Sequence, residues 1–283
     1  MNDAGLGVNS GAGLQAGIDA VLAALDAADA PVHFFIRDDD AGWDDARLFA
    51  LLDCTQAAGV PIDLAVIPQA VAAPLARALC ERVDASGGAS RGASGGTIGL
   101  HQHGHAHRNH ESQSARKCEF GPARSIAAQR ADLIAGRQHL QGCFGDRLDA
   151  TFTPPWNRCS GVTPGLLAAL GYTALSRDRT APPQFALPEL PVDVDWCREQ
   201  RLAAERGESG GARIGNALAQ RVAGGATVGL MLHHAAMSDA EIDALRAALR
   251  AWSAHPRARW QRMNHCLPAA PLAEAAGTHE EPT

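Results

Sequence analysis

Five of the chain's twelve histidines fall within ten residues, His101 to His110, reading HQHGHAHRNH. Neutral imidazole is the commonest protein metal ligand near neutral pH. A tract this dense points to metal chemistry, although histidine-rich runs also occur as solvated loops. His103 and His107 are four apart, so one helical turn would present both rings on one face. A carboxylate from a neighbouring element would complete three protein ligands and leave a position open for water, the pattern of catalytic metal sites. Alternatively, His101 and His103 could pair as an HxH couple on an extended strand. Spacing leaves both arrangements open.

Other reactive residue types recur in short groups: Arg37-Asp38-Asp39-Asp40, Thr153-Pro154-Pro155-Trp156-Asn157, Asp193-Val194-Asp195-Trp196 and His233-His234. Each alone has a plain structural explanation, such as a helix cap, a rigid turn, a core tryptophan or a surface pair. Their shared position is more informative. Apolar, β-prone segments run into them: 32–37 (VHFFIR) into the aspartates, 97–100 (TIGL) into the histidines, 150–153 into the prolines, 190–194 into the Asp/Trp group and 227–232 (TVGLML) into the histidine pair. A further buried strand is predicted at 62–67 and another at 172–175. Helical patterns alternate with these strands at 14–28, 44–58, 71–83, 121–140, 164–170, 214–222 and 239–252. About seven β-then-α units imply a parallel sheet flanked by helices, either doubly wound or closed into a barrel. In such folds ligands bind beyond the carboxyl ends of the strands, where the reactive residues collect.

The 283 residues, 46% of them hydrophobic, suffice for one large α/β domain. We expect a single domain over 1–270, with helix 14–28 packed on it, and a disordered tail over 271–283. A net charge of -6 argues against a nucleic-acid binder. The basic residues are almost all arginine, Lys117 being the only lysine, which reads as compositional bias. Seven scattered cysteines without CxxC spacing are neither a disulfide framework nor a zinc finger, and free thiols suggest a reducing compartment. The first fifteen residues lack a secretory pattern and no apolar run would span a bilayer, so a cytoplasmic location is expected.

In order along 32–234, these motifs resemble those of the polysaccharide deacetylase family, also called the NodB-homology family or carbohydrate esterase family four. The similarity is closest to an intracellular bacterial branch whose first motif reads R-x-D-D and whose second reads HQHG-x-x-H-x-NHE. The resemblance implies a deformed (β/α) barrel of about seven parallel strands with one divalent metal. Zinc is the leading candidate, with cobalt, nickel, iron or manganese compatible with the same donors. It maps the metal ligands onto Asp40, His103 and His107, the catalytic base onto Asp39 and the general acid onto His233. A one-residue slip in the aspartate run would select Asp38 and Asp39 instead. The metal would activate a water and polarise the acetyl carbonyl. A backbone N–H just after Pro155, near Trp156, would stabilise the oxyanion.

Further expectations concern the supporting residues. Asp193 or Asp195 would fix the His233 tautomer, with Trp196 packing beside it. An arginine that many relatives carry before the prolines is replaced by Thr153, and Arg37 or Arg158 would take its role. His105 would line the cleft or serve as a spare donor, whereas His101, Asn109 and His110 would support the loop. Asn157 belongs to the same proline-rich turn. With aromatics at only 5%, a small or lipid-linked N-acetylated sugar, or a non-sugar amide, fits better than a long polymer. Competing readings are another metal-dependent amidohydrolase built on His101 and His103, and a non-catalytic carbohydrate- or metal-binding protein.

Overall fold

The computed structural model describes residues 11–87, 96–225 and 227–267. The expected tail over 271–283 lies outside the described residues. Strands β1 (Val32–Ala41), β2 (Ile62–Val66), β3 (Ile98–His103), β4 (Leu148–Thr153), β5 (Ala174–Leu175), β6 (Val194–Asp195), β7 (Val228–Leu232) and β8 (Ala258–Trp260) form one sheet, and every pairing is parallel. Their order is β5-β4-β3-β2-β1-β7-β6, with β8 added to the start of β1. Segment 188–195 brings the two ends of this order together. Leu190 and Val192 donate backbone hydrogen bonds to Leu175 and Arg177, and Asp193 donates to Gly229 in β7. The result is a curled, deformed (β/α) barrel.

Helices α1 (Gly11–Ala27), α2 (Asp45–Ala57), α3 (Ala73–Ala85), α4 (Ile126–Phe144), α5 (Thr163–Ala169), α6 (Trp196–Arg206), α7 (Gly210–Ala223) and α8 (Asp239–Ser253) accompany the sheet. Ser238 and Glu241 form a capping box at α8, satisfying backbone donors at its start. The main core includes Leu48, Leu51, Leu52, Leu79, Leu218 and Leu249 against outward-facing strand residues such as Phe34, Ile36 and Leu64. Each such side chain contributes roughly 1.5–3 kcal/mol on burial. Helices α1 and α7 cross at backbone contact. A Cβ on Gly17 would lie 2.0 Å from the Gly211 oxygen, and one on Gly215 2.1 Å from the Gly17 oxygen. Glycine is therefore required for helix α1 to seat here.

Three sequence expectations need correction. Helix α4 starts at Ile126 and not at 121, because Ser125 caps it and Pro122 lies in the preceding turn. The strand expected at 190–194 is reduced to isolated bridges plus β6, since its partners change from β5 to β7 midway. Helix α6 was not anticipated: it buries only Trp196, Gln200 and Ala203, so its sequence carries almost no apolar stripe. The barrel's lower end is closed by residues 262–263 in a way no motif announced. Arg262 pairs with Asp63 of β2 and Asp149 of β4, while the Met263 N–H donates to Asp63.

Candidate metal and catalytic site

On a regular strand Asp38 and Asp40 would share one face and Asp39 the other. The β1–β2 register shifts between Asp38 and Ala41, and Asp40 adopts φ 71°. Such a bulge re-aims a side chain at a strand end. Asp39 and Asp40 consequently both reach the barrel mouth, whereas Asp38 points away from it. Asp38 accepts from the His234 backbone N–H at 2.9 Å and from His234 Nδ1 at 2.6 Å. Both side chains are fully buried, and His234 Nε2 lies 2.6 Å from the Trp43 carbonyl. Burial opposes charge on His234, but the Asp38 carboxylate outweighs it and raises the imidazole to about 9. The geometry thus groups Asp39 and Asp40 at the mouth and removes Asp38 from it.

Asp40 Oδ1 stands 3.1 Å from His103 Nε2 and 3.0 Å from His107 Nε2. Three ligands at about 2.0–2.1 Å from a tetrahedral ion would be ~3.3 Å apart, so the spacing suits one cation. Donor chemistry agrees. His103 Nδ1–H donates to the Thr153 carbonyl at 3.0 Å, which leaves Nε2 as an acceptor facing a carboxylate. Two acceptors face one another unless a proton or a metal lies between them. A carbonyl on the far ring nitrogen is the usual support of a ligating histidine. Burial would raise the Asp40 carboxyl, but the facing imidazoles of His103 and His107 hold it well below the ordinary carboxylate range.

The two histidines are not on one helical turn. β3 ends at His103, Gly104 turns the chain with φ 57°, and His107 itself has φ 52°. The loop is held by the buried Glu119, which accepts from the backbone N–H groups of His105, Ala106 and Arg108. A Cβ on Gly104 would lie 2.2 Å from Glu119 Oε2 and 2.6 Å from Pro155 Cδ, so glycine is needed there. The His107 ring lies 4.5 Å from the Trp156 ring and 4.8 Å from that of Trp43, centroid to centroid. His101 and His103 do share a face of β3, yet they do not form an HxH ligand pair. His101 Nε2 meets Thr153 Oγ1 at 2.9 Å inside the barrel. Burial, reinforced by the Arg37 charge, pushes its imidazole down to about 3, so it is neutral.

Asp39 is 2% exposed and gripped by the Arg37 fork, Nε to Oδ1 at 2.8 Å and Nη2 to Oδ2 at 2.9 Å. Arg37 is itself pinned by Ser176 Oγ at 2.7 Å and Asn157 Oδ1 at 2.6 Å. Burial alone would raise the Asp39 carboxyl, but the Arg37 guanidinium together with His103 and His233 outweighs it and keeps it lowered and ionised. Arg37, and not Arg158, contacts the carboxylate; Arg158 Nη1 bonds the Lys117 carbonyl instead. His233 Nε2 lies 4.0 Å from Asp39 Oδ2, and His233 Nδ1 lies 4.0 Å from Asp195 Oδ1. Asp193 does not serve His233, because it is committed to Arg179 and to the Gly229 N–H. Trp196 is buried in the main core. Pro155 and Asn157 are buried under the mouth, and Trp156 and Asn157 hold φ values near 57°. His105 turns to Gln69 at 2.9 Å, and Asn109 orders its loop through the N–H groups of Glu111 and Cys118.

Sequence reasoning missed Glu119, the Asp38–His234 pair, Ser176 and the supporting use of Thr153. Glu119 alone left a trace: a carboxylate between Cys118 and Phe120, both of which are buried.

A parallel, deformed (β/α) barrel with an Asp-His-His group and an arginine-clamped aspartate at its mouth defines the class of fold. No family model and no curated protein matches the sequence. Solved structures match the fold. A family 4 carbohydrate esterase from Streptomyces lividans, in complex with acetate, superposes with a TM-score of 0.53 at 14% identity, over 86% of this chain and 99% of that one. A peptidoglycan deacetylase from Bacillus subtilis gives 0.51 at 11% identity, over 84% and 90%. A mutant of a pseudoenzyme of carbohydrate esterase family 4 gives 0.52 at 13%, over 84% and 67%. The chain therefore has the fold of the NodB-like polysaccharide deacetylases.

Proposed function

We propose that this chain is a metal-dependent deacetylase that hydrolyses the amide of a small or lipid-linked N-acetylated sugar. The reading rests on the convergence of the Asp40, His103 and His107 donors with an ionised, arginine-held Asp39 and with His233 at one barrel mouth. A divalent ion on the triad, zinc foremost, would acidify a water and polarise the acetyl carbonyl. Asp39 accepts the proton of the attacking water, its carboxylate held in one orientation by the Arg37 fork. The backbone N–H of Trp156 donates to the developing oxyanion. His233 protonates the departing amine, since an amide nitrogen leaves poorly without a proton. Asp195 faces the other His233 nitrogen and orients the ring. Trp43 and Trp156 wall the approach to His107. The seven cysteines are all unpaired, which suits a reducing compartment, and we place the protein in the cytoplasm as a single domain over 1–270.

Similarity to a pseudoenzyme favours one second reading, a carbohydrate binder without turnover. Metal analysis combined with acetate release from small N-acetyl sugars separates the two. The deacetylase reading expects one ion per chain and turnover in the native protein. Asp39→Asn is expected to keep the ion and lose turnover, and His103→Ala or His107→Ala to lose the ion. Bound metal without hydrolysis across the substrates would favour the binder, and activity in a metal-free His103→Ala protein would refute the assignment.

A further inference from the structure

The arginines are not spread evenly. Beside His233 and Trp156 the mouth widens into an open groove of about 820 Å³ between the proline-rich turn, segment 178–180 and helices α6 and α7. Seven of the chain's 25 basic residues line it, against four carboxylates, in a protein whose net charge is -6. The carboxylates are already engaged. Asp193 takes Arg179 and faces Arg221 at 3.9 Å, and Glu199 takes Arg213 at 2.5 Å. Asp195 caps α6 through the Arg198 N–H, and Asp178 accepts from Thr180. That leaves Arg116, Arg158, Arg198 and Arg201 without an ion pair among the described residues, Asp178 acting on Arg158 only from farther away.

These four guanidinium groups reach the groove from different segments. Arg116 and Arg158 come from the loop side, and Arg198 and Arg201 are exposed on α6. Arg158 is partly buried, and its Nε has no hydrogen-bond partner. Burial and the neighbouring Arg116 charge lower its pKa by more than Asp178 raises it, so repulsion between the two cations is not fully offset. An excess of like charge gathered in one groove costs free energy that a bound anion would recover. Planar guanidinium forks match phosphate oxygens in bidentate fashion, and several converging forks suit a polyanion. The groove volume lies within the roughly 300–1,000 Å³ range of small-molecule sites.

Resting on the deacetylase reading, we propose that the substrate carries a phosphate or diphosphate group, which the groove binds while the acetamide is presented to Asp39 and His233. The phosphoryl group stays intact; it anchors and orients the sugar.

The test uses calorimetric titration of the metal-loaded Asp39→Asn protein, which binds without turnover. The ligands are N-acetylglucosamine 1-phosphate, UDP-N-acetylglucosamine, N-acetylmuramic acid and neutral methyl N-acetylglucosaminide. The phosphorylated ligands are expected to bind at least about tenfold more tightly than the neutral glycoside, and this advantage to shrink on raising salt from about 50 to 300 mM. Arg198→Ala/Arg201→Ala, at exposed helix positions, should remove most of the advantage without shifting the melting temperature. Arg116→Ala/Arg158→Ala provides an independent test on the loop side. Equal affinity for neutral and phosphorylated ligands, or an advantage that survives both double variants, would overturn the proposal. Preference for the carboxylate sugar over the phosphates would also overturn it. Acetate release by the native protein is measured separately. Absence of release with the phosphate preference intact refutes the deacetylase reading and supports the groove assignment.

Discussion

Replacing Asp38 with asparagine isolates the contribution of the buried Asp38–His234 pair. The two side chains are fully buried and 2.6 Å apart, so solvent does not screen them. His234 is raised from an ordinary 6.5 to about 9, which at about 1.4 kcal/mol per pKa unit corresponds to about 3 kcal/mol. A histidine raised in the folded state binds its proton more tightly than the unfolded chain does. The stabilisation is therefore fully present below pH 6.5 and is lost as pH rises through about 9. Asp38→Asn should thus cost about 3 kcal/mol at pH 6, within the range for breaking a buried pair, and much less at pH 9.5. Urea unfolding followed by circular dichroism at pH 6, 7.5 and 9.5 measures this directly. A His234→Gln variant should show the same collapse of pH dependence, and the double variant should cost less than the sum. A loss below about 1 kcal/mol at pH 6, or an equal loss at pH 6 and 9.5, would refute the argument.

Three further outcomes follow from the same geometry. Arg37→Lys keeps the charge but loses the two-pronged grip on Asp39, so steady-state kcat for acetate release should fall about 10- to 100-fold with metal content unchanged. Glu119→Gln weakens the acceptor that holds three backbone N–H groups of the histidine loop, and a chelator competition should show metal affinity reduced about 10- to 100-fold. Gly99→Ala would place a Cβ 2.0 Å from Asp63 Oδ1 and 2.3 Å from Arg262 Nη2, and thermal or urea unfolding should register a loss of about 2–3 kcal/mol.

Much of the scaffold was readable because its signals are local. Strands β1, β2, β3 and β7 are apolar runs with β-branched residues, and α2 and α8 carry clear periodicity and end signals. The alternation of the two implied a parallel sheet, doubly wound or closed into a barrel, whose strand ends collect the polar groups. What failed was weakly patterned or depended on distant partners. Helix α6 buries a glutamine where a hydrophobic residue would have marked its face, and the 188–195 segment changes neighbours within a few residues. The bulge at Asp40 has no glycine or proline to announce it, so the aspartate register stayed ambiguous in one dimension.

The sequence by itself determined the class of fold, the order of the reactive groups along it and the resemblance from which roles are proposed for them, since residue type and spacing carry that information. Only the tertiary structure decided which aspartate faces which histidine. A left-handed Asp40 sends two successive carboxylates into the mouth and leaves Asp38 to His234. A loop pinned by Glu119, and not a helical turn, brings His107 beside His103. The arginines that looked like compositional bias became a groove only when five separate segments met. Each of these depends on contacts between residues far apart in the chain, and neither side chain of such a pair specifies its partner until the fold brings them together.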